Sequence, residues 1–372
     1  MKFVRDLSPP VRVLTALLAA AIVAAPAAAG AAGPAAALAA ATDGSALEKI
    51  LETHPEVRDQ VAARAKALGL AVVEVPVGKT TEARNALRVA GGGKPFHDCG
   101  AADGCPPMVV VPASPAGFRI GSPESEEGRL ASEKQTDVSV PTFAIGTRPV
   151  TVAEYKACVA AGGCDQPEWL EEGGQHNVET GTSRYYATLG EHLTRPEQPI
   201  VGVSHKNATQ FAQWLAGRTG HVYRLPSEAE WERAARAGTT TAFWWGDEPP
   251  SAERPRAACE GCGTEWDMKG LAPAQSFDPN PWGLYNVHGN VWEWVADIFC
   301  DDYASGPRDG TARVTDDCAA VGNRPAVRGL YTMRGGSAFF PARSMRSAMR
   351  LRQKPDFRNI SVGFRVARNL AP

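Results

Sequence analysis

The stretch Gly283-Leu-Tyr-Asn-Val-His-Gly-Asn-Val-Trp-Glu-Trp294 decides the fold. It reads as a tight loop that runs into a short strand at 290 to 296. In Trp292-Glu293-Trp294 a bulky aromatic alternates with an acid, which suits tryptophans turned into a core. The chain beyond Gly238 is rich in Gly, Pro, Trp and Asn, and further short strands are expected at 332 to 336, 345 to 350 and 362 to 367. Loop-rich sequence of this kind, with few helices, predicts a mixed α+β fold whose irregular segments are held by disulfides, metal and buried tryptophan.

Upstream of that stretch the elements are clearer. Met108-Val-Val-Val-Pro112 reads as an apolar strand and Phe118-Arg-Ile-Gly121 as an alternating one. Thr151, Ser204 and Ser227 each cap a helix, running to Ala161, Arg218 and Ala237. Glu230, three residues after Ser227, completes a capping box. Residues 45 to 70 carry apolar positions at helical spacing, broken near Pro55. Residues 30 to 42 are nearly all Ala, Gly and Pro and read as a linker or a second part of a leader. Gly91-Gly92-Gly93 marks a boundary before the main domain.

The first 29 residues have the layout of a secretory signal peptide: Lys2, Arg5 and Arg12, an apolar run from Val13 to Ala25, then Ala27-Ala28-Ala29. The apolar run is shorter than the ~20 residues a span needs and is closed by Pro26, so no stable membrane anchor is expected. A periplasmic or secreted protein follows. Eight cysteines fall in four local pairs: Cys99 and Cys105, Cys158 and Cys164, Cys259 and Cys262, Cys300 and Cys318. Behind an export signal, that pattern predicts disulfides. Sequence leaves the connectivity open, with neighbour pairing favoured because each pair closes a short turn-rich loop. With 39 basic and 41 acidic residues the net charge is -2, which offers nucleic acid no long-range attraction.

Eight phrases occur in a fixed order: Met108-Val-Val-Val-Pro-Ala, Arg119-Ile-Gly-Ser, Pro149-Val-Thr-Val-Ala-Glu-Tyr155, Pro199-Ile-Val-Gly-Val-Ser204, Arg224-Leu-Pro-Ser-Glu-Ala-Glu-Trp-Glu232, the 283 to 294 stretch, Arg334-Gly-Gly-Ser337 and Gly363-Phe-Arg-Val366. On these the chain resembles the formylglycine-generating enzyme, or sulfatase-modifying factor, family over 96 to 370. The resemblance implies an α+β, C-type-lectin-like fold, a monomer, and an oxidase that holds copper with two cysteines just after its Gly-Gly-Ser segment. Here Gly335-Gly336-Ser337 is followed by Ala338-Phe-Phe-Pro-Ala-Arg343, with Phe340 where the first cysteine would stand. Cu(I) is soft and needs thiolates, and the remaining cysteines lie far along the chain, so no copper and no catalytic residues are expected.

The resemblance also implies a structural calcium in the 283 to 294 stretch, ligated by the Asn286 and Glu293 side chains and the Gly289 and Val291 carbonyls. Hard oxygen donors from one loop suit Ca²⁺. A second family calcium site has Ala258 in place of its asparagine, with Asp267 remaining. Cys259-Glu-Gly-Cys262 invites a redox or zinc reading, but Gly261, Gly263 and Gly270 argue for a loop stiffened by a disulfide. Arginines 334, 343, 346, 350, 352, 358, 365 and 368 either clamp an anion or pair with glutamates of 124 to 133 and 228 to 232; overall charge balance favours pairing. Three functions compete. One is a calcium-stabilised module whose groove near Trp292, Ser337 and Phe340 binds a peptide or other exported ligand. Another is an enzyme of altered chemistry that matures exported peptides or siderophores. The last is the formylglycine-generating oxidase itself.

Overall fold

The structure is a computed structural model, and it describes residues 33–77, 84–100, 103–114, 117–303, 305–320 and 326–370. The expected signal peptide lies outside the described residues. Three helices open the described chain, α1 (Pro34–Ala40), α2 (Gly44–Thr53) and α3 (Arg58–Ala67), and a hairpin follows, β1 (Val72–Val77) with β2 (Arg84–Val89). The expected break at Pro55 is a short 3-10 turn. Residues 34 to 40, expected to be linker, form a helix instead. Alanine costs nothing in side-chain entropy there, and Leu38 gives the helix one apolar anchor in a cluster with Leu47, Ile50, Val61 and Ala65.

The main domain is built from β3 (Met108–Val111), β4 (Phe118–Ile120), β5 (Thr136–Val138), β6 (Phe143–Gly146), α4 (Val152–Ala160), α5 (His205–Thr219), β7 (Tyr223–Arg224), α6 (Glu228–Arg236), β8 (Trp292–Ile298), β9 (Tyr331–Arg334), β10 (Arg350–Gln353), β11 (Val362–Phe364) and β12 (Ala367–Asn369). They form two four-stranded sheets, in order β3-β6-β12-β7 and β10-β9-β8-β11, and a small β4-β5 pair. β11 runs parallel to β8, with Val362 opposite Trp292 and Phe364 opposite Trp294. One core then joins both sheets through Trp292, Trp294, Met333, Phe364, Val110 and Phe211.

All three α-helices of the main domain start as the sequence predicts. Thr151, Ser204 and Ser227 each accept from the third helical amide, and Glu154, Asn207 and Glu230 return the bond. Each box satisfies two amides that would otherwise be orphaned at a buried helix end. The strand expected at 345 to 350 begins only at Arg350; Ala342–Met345 is a 3-10 turn that wraps the end of the Gly-Gly-Ser segment.

Candidate functional site

The 283 to 294 turn is shaped by left-handed backbone at Asn286 (φ 51°), Gly289 (φ 81°) and Asn290 (φ 65°). A Cβ at position 289 would lie 2.3 Å from the Ala258 carbonyl oxygen, so only glycine fits. Asn290 fastens two further loops to the turn: its N–H donates to Ala258 O (2.9 Å), and its amide exchanges bonds with the Ala272 backbone (3.0 and 2.9 Å). Asn286 Nδ2 donates to Pro273 O and Ala274 O at 3.1 and 3.0 Å. Its Oδ1 is buried and accepts no hydrogen bond among the described residues.

Glu293 is fully buried and turned the other way. Arg365 Nε and Nη2 donate to its two oxygens at 2.6 and 2.7 Å, and Trp231 Nε1 adds a bond at 2.7 Å. Arg365 finishes on the carbonyls of Gly146 and Tyr285. The carboxylate expected among the calcium ligands is therefore the partner of a guanidinium, and a divalent cation against it would meet that positive charge. His288, on the same turn, is held neutral. Burial pushes it down to about 3, its Nδ1 bonds Met345 O (2.7 Å), and its Nε2 accepts from Trp244 N (3.2 Å).

Trp292 and Phe340 meet edge to face, with ring centroids 5.7 Å apart. Phe340 is 38% exposed, Trp292 is buried, and the indole Nε1 of Trp292 bonds nothing among the described residues. Ser337 is wholly buried, its Oγ accepting from Phe339 N at 3.4 Å. Ser337 and Trp292 are thus buried, and Phe340, in ring contact with Trp292, is partly exposed.

The cysteines pair as neighbours, 99–105, 158–164, 259–262 and 300–318, with Cα separations of 5.2 to 5.6 Å, and no cysteine is free among the described residues. One pair lies near Phe340 despite its distance in sequence. Glu260 N donates to Phe340 O (2.9 Å), which lays the 259–262 turn alongside the segment that follows Ser337. That cross-chain bond left no pattern in the sequence. Asp267 holds the same turn: its carboxylate accepts from Gly261 N and Gly263 N. Among the described residues no three His, Cys, Asp or Glu side chains gather to hold a metal.

Three of the eight C-terminal arginines pair with the expected glutamates, while Arg352, Arg358, Arg365 and Arg368 take Asp301, Glu171, Glu293 and Asp98 instead. Arg334 and Arg350 take Glu228, Arg334 also takes Glu232, and Arg346 takes Glu126 and Glu133. The forks of Arg334 and Arg350 on Glu228 and Glu232 tie α6 to the second sheet.

Residues 96–370 match the sulfatase-modifying factor enzyme 1-like domain. The chain belongs to that family. The formylglycine-generating enzyme of Streptomyces coelicolor is 31% identical over 318 residues, covering 78% of this chain and 91% of that protein. The formylglycine-generating enzyme of Thermomonospora curvata is 42% identical over a shorter 145 residues, 34% of this chain and 46% of that enzyme. Among solved structures, PvdO from Pseudomonas aeruginosa superposes with a TM-score of 0.59 at 34% identity, over 75% of this chain and 98% of that one. The sulfatase-modifying-factor fold expected from the eight phrases is therefore the fold of this chain, disulfides included. Four disulfides are the covalent signature of an oxidising compartment, and no helix of the described residues is long and apolar enough to cross a membrane.

Proposed function

We propose that this chain is an exported, non-oxidising member of its family, whose groove at Trp292, Ser337 and Phe340 binds a peptide or other exported ligand. One observation carries the reading: Ala338 to Arg343 contains no thiol, and all eight cysteines are tied as disulfides. Disulfide sulfur is a poor ligand for Cu(I), and Phe340 presents an apolar ring where the family's chemistry calls for a thiolate. The half-exposed ring over buried Trp292 suits an apolar or aromatic ligand side chain. A fluorescently labelled cysteine-containing peptide should bind, and Phe340→Ala should weaken it at least fivefold; equal affinity would remove the groove from the reading.

Calcium belongs to the same proposal. The orphaned Asn286 Oδ1 and the carbonyls of Gly289 and Val291 are neutral hard donors that fit Ca²⁺, whereas Glu293 is held by Arg365 and adds no free oxygen. A calcium ion there would brace the turn and neutralise a buried orphan acceptor. The second reading, an enzyme of altered chemistry acting on exported peptides or siderophores, is supported by the retention of the whole family domain over 96–370 without a thiol in 338 to 343. It differs from the first in one measurable respect, covalent change of the bound ligand.

A further inference from the structure

Away from the groove, a cavity of about 540 Å³ opens between β4 and the C-terminal end of α6, large enough for a small organic ligand. Phe118, Arg119, Gln135, Asp137, Arg233 and Thr240 are among its walls. Two of the three arginines that line it are already neutralised: Arg119 pairs with Asp137, and Arg236 with Glu232. Arg233 is different. Its Nε and Nη2 donate to the carbonyls of Pro112 (2.8 Å) and Ala113 (2.6 Å), and no carboxylate among the described residues pairs with it. The guanidinium lies over Trp282 (5.2 Å) and Phe118 (5.9 Å), so its plane is fixed by two carbonyls and two rings.

Such a cation is costly to bury. With no acid beside it, burial alone pulls Arg233 down to about 10. The last carbonyls of α6 do not offset this. Those of Ala234 and Ala235 accept from Asn280 Nδ2 at 2.8 and 3.1 Å, and that of Arg236 accepts from Thr239 N at 2.9 Å. A rigid, half-buried guanidinium at the wall of a ligand-sized cavity lacks one thing, an anion.

We propose that this cavity is a second ligand site, which takes a small molecule or peptide group bearing a carboxylate, with Arg233 as its charge partner and Phe118 as its apolar wall. The site does not depend on the groove at Phe340. Only the free fork edge of Arg233 is offered, so a planar carboxylate matches it better than a tetrahedral phosphate or sulfate group.

The test titrates the whole protein, followed calorimetrically, with glutarate, with acetyl-alanyl-glutamate and with the diamide of that peptide. Either acid should bind at millimolar concentration or below, and the diamide should not. Binding of glutarate alone points to a free small acid, and binding of the peptide alone to a peptide group. Arg233→Gln should weaken the acid roughly tenfold or more. Thr240→Glu, on an exposed rim position, keeps the core intact and should weaken it too by placing a competing carboxylate in the cavity. Acid binding that is unchanged in both variants, a diamide that binds as well as the acid, or no binding of either acid would each overturn the proposal.

Discussion

Glu293 and Arg365, 72 residues apart, form a two-pronged ion pair with both side chains wholly buried, at the point where β11 runs parallel to β8. Strand pairing sets Glu293 opposite Gly363, and the bidentate bond then ties the 283 to 294 turn to the link between β11 and β12. A buried charge left alone costs far more than the pair itself contributes.

Removing one partner should therefore be severe. Glu293→Ala or Arg365→Ala should each lose about 3–5 kcal/mol of stability, read as a shift of the urea midpoint, whereas the double change to Leu should lose less than the two singles summed. Additive losses would mean that the two side chains do not act as a unit.

This pair shows where sequence reading stopped. The caps at Thr151, Ser204 and Ser227, the local disulfides and the α+β class were legible because each is a short-range pattern with its own physical cause. The pairing of Glu293 with Arg365 was not. A carboxylate in a turn looks the same whether its partner is a cation or a distant arginine, and that choice is made by the register of β8 against β11. The approach of Cys259–Cys262 to Phe340 was hidden for the same reason, since one backbone bond from Glu260 to Phe340 carries it. The hairpin β1-β2 and the α1 helix also went unread: alternating residues with Pro76 inside make a weak strand signal, and alanine-rich sequence reads equally as linker or helix.

Calcium should raise the melting temperature by an amount that grows with RT ln(1 + [L]/Kd), and a chelator should lower it. Asn286→Ala should remove most of that response while Glu293→Gln, whatever it does to stability, should leave the calcium dependence in place. A response lost in Glu293→Gln and kept in Asn286→Ala would put the carboxylate back among the ligands.

Glu48 gives a pH-dependent prediction. Burial lifts its carboxyl from 4.5 to about 7, against the Val89 N–H that donates to Oε1 at 2.7 Å, while Oε2 is buried with no partner. The folded state then holds the proton more tightly than the unfolded one. Stability from this group is full below about pH 4 and falls as pH rises through about 7. Glu48→Gln should be the more stable protein at pH 8, by up to roughly 3 kcal/mol, and the advantage should vanish near pH 4. Parallel pH curves for the two proteins would contradict it.

The 18-residue loop closed by Cys300–Cys318 should matter most of the four disulfides for the unfolded chain. Cys300→Ser with Cys318→Ser should cost about 3 kcal/mol, measured by denaturant unfolding, and alkylation of the unreduced native protein should label no thiol. Labelled cysteines would reopen a redox role for Cys259 and Cys262.

Turnover decides between a binding module and an oxidase most directly. The purified protein, incubated with Cu(I), oxygen and a cysteine-containing sulfatase peptide, should retain the peptide's mass unchanged while still binding it, because no thiolate pair stands beside Phe340 to hold the metal. Mass spectra that show the cysteine converted to the aldehyde, in a reaction that stops without copper or without oxygen, would contradict the account.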